Sequence, residues 1–283
     1  MIERSRNTEL RTNEHRQRVL GICIATLLSD PMGASEADVR AAAQAAVAGG
    51  FAELSVWAPH LGALEGPSEL GAHITVIEGA TEWATGDSKE AAAEASRIAG
   101  LAAAHGAATI LAVTLRPALP DRTRARDNLG LLAAAGAEAG AQVCLEFVPW
   151  TAIPSLAAAW DLVEPLGAET GIVVDTWHWQ RQPGGPDPGL LATIPAERIG
   201  YVQVCDAAAT PADDLFAEAM SARLLPGDGV VDFAEVLGVL GRIGSTPVVA
   251  TEVFSSTILA DRGDAGAAKA MLEASRAVMP YSS

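Results

Sequence analysis

Positive charge is scarce in this sequence. Nineteen Lys and Arg residues stand against 35 Asp and Glu residues, which gives a formal net charge of −16. A protein that binds nucleic acid needs clustered Lys and Arg to contact phosphates, so we expect no nucleic-acid partner. Only two of the cations are lysines, Lys89 and Lys269. Both fall in predicted outer helices, which argues against an aldolase that works through a Schiff base.

Cysteine is scarce as well, and the N-terminal region lacks an apolar segment. The three cysteines, Cys23, Cys144 and Cys205, all fall in predicted strands. Buried free thiols are the simplest interpretation, and a reducing cytoplasm is the matching compartment. The N-terminal stretch is polar and resembles neither a signal peptide nor a membrane span. We therefore predict a cytoplasmic protein without a membrane partner, in which residues 1–17 form a flexible tail and residues 18–283 form one domain.

Short apolar runs separated by alanine-rich stretches are abundant. Hydrophobic residues make up 49% of the chain, so a large core is available. Continuously apolar strands are typical of a parallel sheet that is buried on both faces. A single (β/α)₈ TIM barrel is the economical fold, and a doubly wound open sheet is the alternative, although no GxGxxG motif follows the first strand. We predict eight strands that alternate with helices, at 19–26, 51–59, 72–79, 108–115, 141–148, 171–175, 199–204 and 247–254.

Polar residues mark several helix boundaries. Ser35 is a predicted N-cap of the first helix, and Asp87 or Ser88 is a predicted N-cap of the long helix after the third strand,. The last helix is predicted to begin at Gly263. A long mixed segment at 206–229 follows the seventh strand, and we predict that it forms a partly mobile lid.

Polar side chains also stand at the ends of four successive predicted strands. They are Glu146, Asp175, Gln203 and Glu252, and His178 follows the sixth strand. In a parallel barrel the catalytic groups lie at the carboxyl ends of the strands, so these side chains should converge. Three carboxylates in one pocket repel each other, and a divalent cation is the simplest remedy. Oxygen ligands favour Mn²⁺ or Mg²⁺, although each acid taken alone could be a helix cap or an ion-pair partner.

The motifs resemble those of the xylose isomerase-like TIM-barrel superfamily, which includes sugar phosphate isomerases and epimerases. The pattern is a Glu on strand five, D-x-x-H after strand six, His or Gln on strand seven, Glu on strand eight and an Arg before P-G-x-G. The resemblance implies one divalent ion, Mn²⁺ or Mg²⁺ with Co²⁺ or Zn²⁺ as alternatives, held by Glu146, Asp175, Gln203 and Glu252. It also implies that His178 and Arg223 contact a small-molecule substrate. A homodimer or homotetramer is a further expectation.

Some positions depart from the family pattern. Gln203 stands where many members have His, and an amide oxygen is a weaker ligand. The five histidines are too few for the three-metal cluster of the endonuclease branch. Dehydroshikimate dehydratase-like members carry a His two residues after the strand-five Glu, where this chain has Val148, which weakens the case for a dehydratase.

Tryptophans and two further polar residues are candidates for substrate contacts. Aromatic rings stack on sugar faces and also form apolar walls for cyclic substrates. Alternatively, some of the rings only close the barrel mouth, His60 bonds a loop carbonyl, and Arg116 pairs with an acid of the protein. The candidates, all at or just past predicted strand ends, are Trp57, Trp83, Trp150, Trp177, His60 and Arg116.

Proton transfer beside a carbonyl group is the chemistry that fits these residues. A metal-stabilised enediolate would form, with Glu146, Glu252 and His178 as catalytic residues and the two glutamates on opposite faces of the substrate. We predict an isomerase or epimerase of sugars, cyclitols or keto-sugars. A metal-dependent dehydratase or lyase of a cyclic hydroxy-ketone is the first alternative, and a non-catalytic carbohydrate-binding barrel is the second.

Overall fold

The computed structural model describes residues 20–64 and 71–279. The predicted N-terminal tail, residues 1–17, lies outside the described residues. Eight parallel strands close into a barrel in which each strand pairs with its neighbours in sequence and β8 returns to β1. This confirms the predicted TIM barrel. The strands are β1 Leu20–Cys23, β2 Glu53–Trp57, β3 His73–Ala80, β4 Thr109–Ala112, β5 Gln142–Glu146, β6 Thr170–Asp175, β7 Ile199–Val204 and β8 Val248–Thr251.

Helices connect the strands and cover the outside of the barrel. Ser35 forms a capping box with Asp38 at the start of the first helix, and Asp87 accepts hydrogen bonds from two backbone N–H groups at the start of the second,. Both predicted caps are confirmed. The helices are α1 Glu36–Ala48, α2 Ser88–His105, α3 Arg122–Glu138, α4 Leu156–Val163, α5 Thr176–Arg181, α6 Pro188–Leu191, α7 Leu215–Ser221, α8 Phe233–Ile243 and α9 Ser256–Val278.

Two predicted boundaries differ from the structure in an informative way. The first strand ends at Cys23, and the rest of its apolar run, Ile24–Leu27, forms a buried 3₁₀ turn. The last helix starts seven residues before the predicted start, but its backbone breaks at Gly263, where φ is 62° and ψ is 170°. At the first strand, apolar composition therefore marks burial without fixing the backbone conformation, whereas residues 256–263 of the last helix are largely exposed and carry no apolar pattern that would have predicted them,.

The core has an inner and an outer layer. Strand residues that point into the barrel form a small cluster of their own, whereas the larger cluster lies between the strands and the surrounding helices. The inner cluster closes the barrel below the carboxyl ends of the strands, so chemistry is confined to the rim above it. Its buried members are Val76, Leu111, Cys144, Val173, Tyr201 and Ala250. Within the described residues, no helix is both long and apolar enough to cross a membrane.

Candidate active site

The four predicted strand-end residues all lie at the carboxyl rim of the barrel and are buried. Glu146 and Asp175 are the last residues of β5 and β6, Gln203 pairs with Asp175 across the β6–β7 ladder, and Glu252 directly follows β8. Their exposed fractions are 7% or less. Buried carboxylates need donors or cations, so the partners of these four residues decide what the site can do.

Asp175 also organises the turn into α5. Its Oδ1 accepts hydrogen bonds from the backbone N–H groups of Trp177 at 2.7 Å and His178 at 2.9 Å. The carboxylate therefore caps a helix, as one of the alternatives from sequence proposed, while its second oxygen remains free for another partner. The cap fixes His178 beside β5, with its Nε2 atom 3.6 Å from Oε1 of Glu146.

Arg223 provides that second partner. Its Nη1 donates to Oδ2 of Asp175 at 2.6 Å and to Oε2 of Glu252 at 3.1 Å, and its Nε donates to the carbonyl of Ala219. The arginine is 3% exposed. The residue predicted to contact substrate thus bridges two predicted metal ligands inside the protein.

These contacts separate the pKa values of the carboxyl groups. Burial raises the pKa of Asp175, but the positive charge of Arg223 and the hydrogen bonds to the carboxylate outweigh burial and hold its pKa at about 2,. Burial, followed by the charges of Asp175 and Glu78, raises the pKa of Glu146 well above its usual value. Burial and the charge of Glu78 also raise the pKa of Glu252, despite Arg223. Only Asp175 is stabilised as an anion by this part of the chain.

His178 is a neutral imidazole in this setting. Burial lowers its pKa to about 4, even though the nearby charge of Asp175 acts in the opposite direction,. Its Nδ1 atom is buried and has no hydrogen-bond partner in the described part of the chain. A neutral ring with an unpaired nitrogen can bind a metal ion or exchange a hydrogen bond with a substrate hydroxyl.

Two buried groups at the rim have potential metal-ligand atoms within 4.8 Å of one another. One consists of Glu146, Asp175 and His178, and the other of Cys23, Glu78 and Glu252. The predicted ligands are therefore divided between two neighbouring groups, with Arg223 hydrogen-bonded across them. Oε1 of Gln203 is also buried, and none of the described residues forms a hydrogen bond with it. This donor set, rich in oxygen and short of positive charge, fits a divalent ion.

Glu78 is a site residue that sequence reasoning missed. It lies near the end of β3, is 3% exposed and accepts hydrogen bonds from Ser55, Tyr201 and Gln203. The available signal was a single charged residue within the otherwise apolar run ITVIEGA. Such a residue has to point into a polar pocket or pair with another strand.

Two of the candidate tryptophans are half-buried on different sides of the rim. The Trp57 ring stacks on His60, with 5.5 Å between centroids, and is tilted against Phe254. The Trp150 ring makes edge contacts with His178 at 5.7 Å and with Phe216 at 5.9 Å. These two rings retain surface that a substrate can contact.

The other four predicted substrate-contact residues lie in different surroundings. Trp83 is 1% exposed and its indole N–H donates to two strand carbonyls, whereas Trp177 is fully buried and donates to Glu218. Both rings are packing residues, because a position past a strand end does not fix the direction of the side chain. A ring nitrogen of His60 bonds the carbonyl of Pro31 at 3.0 Å, which is the alternative given above. Arg116 is exposed on the loop after β4.

Buried polar contacts fasten the segment predicted to form a lid. The carboxylate of Asp206 accepts hydrogen bonds from the backbone N–H groups of Gly227, Gly229 and Val231 at 2.9–3.0 Å. Farther along, Arg181 and Glu218 form a buried ion pair at 2.6 Å. The segment is thereby held at its beginning and its end, and it carries Arg223 into the rim.

A cavity of about 460 Å³ lies beside the rim, between the loop after β1 and the start of α9. Phe254 and Met220 form part of its wall, and three acids, Asp30, Asp38 and Asp264, also line it. Its lining does not include the four strand-end residues. The surroundings of the rim are therefore acidic on this side, in line with the overall charge.

Comparisons with known proteins agree with this architecture. The family model of xylose isomerase-like TIM barrels matches residues 23–278. A solved structure of the IOLI protein with a bound zinc atom matches with a TM-score of 0.75 at 18% identity and covers 92% of this chain and 97% of that one. The structure of D-allulose 3-epimerase from Methylomonas sp. with D-allulose gives a TM-score of 0.68 at 17% identity, covering 91% and 96%. At these identities the two structures establish the fold alone.

A sequence relative points to a different reaction. Over 131 residues the chain is 31% identical to a 3-dehydroshikimate dehydratase of Pseudomonas aeruginosa. The match covers 46% of this chain but only 20% of the dehydratase, so the chain spans a small part of that relative's length. The comparisons thus include epimerases and dehydratases.

Proposed function

Since the chain belongs to the xylose isomerase-like TIM-barrel family, we propose that it is a metal-dependent isomerase or epimerase of a sugar or cyclitol. The reaction would move a proton at the carbon beside a carbonyl group. The observation that carries the proposal is the convergence of buried Glu146, Asp175, Gln203 and Glu252 at the rim of the barrel. A buried acid set of this kind is costly unless it serves a cation and a reaction.

The charges of the rim support a divalent ion. Glu78 joins Glu146, Asp175 and Glu252 as a fourth buried acid at the rim. These acids face the buried guanidinium of Arg223, and His178 is neutral. Glu146, Asp175, Gln203 and Glu252 would hold the ion, with His178 close enough to take part. When bound, such an ion polarises a carbonyl oxygen and offsets the negative charge that develops on it. Manganese or magnesium is our choice because the donors are mainly oxygens, and zinc or cobalt is the alternative where His178 binds.

The two glutamates are the proposed proton carriers. Glu146 ends β5 and Glu252 directly follows β8, so β6 and β7 separate them around the rim. A substrate bound between them would present one face to each carboxylate. One glutamate would take the proton from carbon and the other would return it, giving inversion or a shift of the carbonyl. His178 would hold a substrate hydroxyl, and Trp57 and Trp150 would flank the ring.

The pairing of the arginines favours an uncharged substrate. In the parts of the chain that the structure describes, Arg223 pairs with Asp175 and Glu252, and Arg181 pairs with Glu218. An anionic group at the rim would compete with carboxylates for these cations. Arg116, exposed on the loop after β4, is the cation that we assign to such a group.

Dehydration is the second candidate function, and the dehydratase relative favours it. The same removal of a proton beside a carbonyl can be followed by loss of a β-hydroxyl group as water. The substrate would be a cyclic hydroxy-ketone such as dehydroshikimate, whose carboxylate would require a cation such as Arg116. The two reactions share their first step and differ in whether a hydroxyl group leaves.

Solvent exchange and product analysis together test the proposal. The protein is stripped with a chelator, reloaded separately with Mn²⁺, Mg²⁺, Co²⁺ or Zn²⁺, and incubated in D₂O with ketoses, inososes and 3-dehydroshikimate. We expect metal-dependent deuterium incorporation beside the carbonyl and an epimeric or isomeric product by NMR. A new conjugated chromophore would assign the dehydratase instead. Ligand binding without exchange for every metal and substrate would overturn both reactions and leave a non-catalytic binding barrel.

A further inference from the structure

Glu78 is surrounded by hydrogen-bond donors from three other strands. Its Oε1 accepts from the hydroxyl groups of Ser55 and Tyr201, the latter at 3.1 Å, and from the side-chain amide of Gln203 at 3.3 Å. Its Oε2 lies 3.5 Å from the Cys23 thiol. Donors from β1, β2 and β7 therefore converge on one buried carboxylate from β3. A group with so many protein partners is held rigidly and is not itself available to a ligand.

Gln203 lies between this carboxylate and a second one. Its Nε2 donates to Oε1 of Glu252 at 2.7 Å and to Oε1 of Glu78 at 3.3 Å. An amide nitrogen has two hydrogens, and the two carboxylates accept both. The opposite orientation would place the amide oxygen against two carboxylate oxygens. The surroundings therefore admit one orientation of the amide, and they direct Oε1 away from both acids.

That oxygen is the unpaired atom of the group. Gln203 is 1% exposed, and its Oε1 has no hydrogen-bond partner among residues 20–64 and 71–279. Burying an amide oxygen without a hydrogen-bond donor costs free energy, unless a bound ligand or ion contacts that oxygen. The rigid donor network around Glu78 thus ends in a single open acceptor at the rim.

We propose that Glu78 is a positioning residue that fixes the side-chain amide of Gln203 with its oxygen facing the site. The inference rests on the proposed function, because a divalent ion is the partner that we assign to this oxygen. Glu78 acts through Gln203 and contacts neither the ion nor the substrate. Gln203 suits this arrangement better than histidine would, because a neutral imidazole has one N–H and could not satisfy two carboxylates.

The Glu78→Gln substitution tests the proposal, because it keeps the shape of the side chain but introduces an NH₂ group that can face Gln203. Glu252 alone then holds the Gln203 amide in its original orientation, and a reversed amide finds a partner in the new NH₂ group. We expect the affinity for Mn²⁺ to fall by about 10- to 100-fold, as for other groups that orient metal ligands. Mn²⁺ binding is measured by calorimetry and by electron paramagnetic resonance on the chelator-treated protein, after circular dichroism has shown that the variant is folded.

A double-variant cycle separates positioning from a general structural role. Glu78→Gln is introduced into the Gln203→Ala protein, in which there is no amide to orient. We expect the second substitution to leave Mn²⁺ affinity unchanged there, while any loss of melting temperature persists in both backgrounds. An equal drop in affinity in both backgrounds, or unchanged affinity of the single Glu78→Gln variant, would overturn the positioning role. Glu78→Asp provides a second variant if Glu78→Gln does not fold, and its shortened carboxylate should weaken Mn²⁺ binding only where Gln203 is present.

The proposed function and this inference fail in different ways. If the parent protein binds no divalent ion, the metal-dependent function is overturned together with the role of Glu78. If the parent protein binds Mn²⁺ and the cycle shows no coupling, the metal site stands and only the role of Glu78 falls.

Discussion

Glu78 on β3 and Glu146 on β5 are both buried glutamates at the barrel rim, yet their surroundings differ. Glu78 receives hydroxyl, amide and thiol hydrogens from other strands. The nearest ring nitrogen of the neutral His178 lies 3.6 Å from Glu146, and burial and like charges raise the pKa of Glu146. The fold surrounds Glu78 with donors, whereas the Nδ1 atom of His178, beside Glu146, has no hydrogen-bond partner among the described residues. Unsatisfied buried groups mark the place where a ligand contributes to the structure.

Arg181 and Arg223 both have buried side chains that pair with carboxylates, and replacing them should have the largest effect. Arg181 pairs with one carboxylate, Glu218, away from the predicted ligands, and Arg223 pairs with two of those ligands. Removing one partner of a buried ion pair costs about 3–5 kcal/mol. We expect Arg223→Ala and Arg181→Ala to lower the free energy of unfolding by similar amounts in the absence of metal, as measured by urea denaturation.

Divalent ions should separate the two variants. In Arg223→Ala the carboxylates of Asp175 and Glu252 lose their cation, so added Mn²⁺ should restore more of the lost stability than it adds to the parent protein. In Arg181→Ala the unpaired carboxylate is Glu218, and Mn²⁺ should stabilise this variant no more than the parent. Equal responses of the two variants would mean that the region of Arg223 has no special relation to metal.

The next largest effect concerns turnover. Glu146→Gln keeps an oxygen ligand but removes the proton carrier, so turnover should fall by about 10²-fold or more. Glu94 is a matched control, because it is a buried glutamate that accepts hydrogen bonds from the backbone N–H groups of Thr81 and Glu82, outside the site. Glu94→Gln should lower stability while the turnover of the folded protein is retained. Near-parent turnover of Glu146→Gln would remove Glu146 from the chemistry.

The sequence predicted the parts of this molecule that depend on local pattern. The apolar runs identified all eight strands, and the acids at their ends identified Glu146, Asp175 and Glu252, because a charge that terminates a buried strand is conspicuous. The burial of Trp83 and Trp177 was missed, since the position of a residue past a strand end does not say which way its side chain turns. Side-chain direction depends on the packing of neighbouring elements.

Long-range partners could not be predicted either. Arg223 was recognised from the motif around Pro226, but its contacts with Asp175 and Glu252 span 48 and 29 residues of the chain. Glu78 lies 125 residues from Gln203, and no local pattern links the two. Candidates for the site could therefore be predicted from the sequence. Which carboxylates have hydrogen-bond or ion-pair partners became clear only from the structure of the closed barrel.

The smallest expected effect tests whether the region around β3 is as complete as its contacts indicate. Tyr201 is fully buried and donates its hydroxyl hydrogen to Glu78. Tyr201→Phe removes one donor, but Ser55, Cys23 and Gln203 remain as partners of the carboxylate. The loss should cost about 1 kcal/mol of unfolding free energy, the usual net value of one hydrogen bond. Because the Gln203 amide still lies between two carboxylates, Mn²⁺ affinity should change far less than in Glu78→Gln. Urea denaturation and Mn²⁺ titration of the two variants side by side provide the measurement. If Tyr201→Phe weakens Mn²⁺ binding as much as Glu78→Gln does, the loss of one donor is enough to release the Glu78 carboxylate. The surroundings of Glu78 would then be no more complete than those of Glu146.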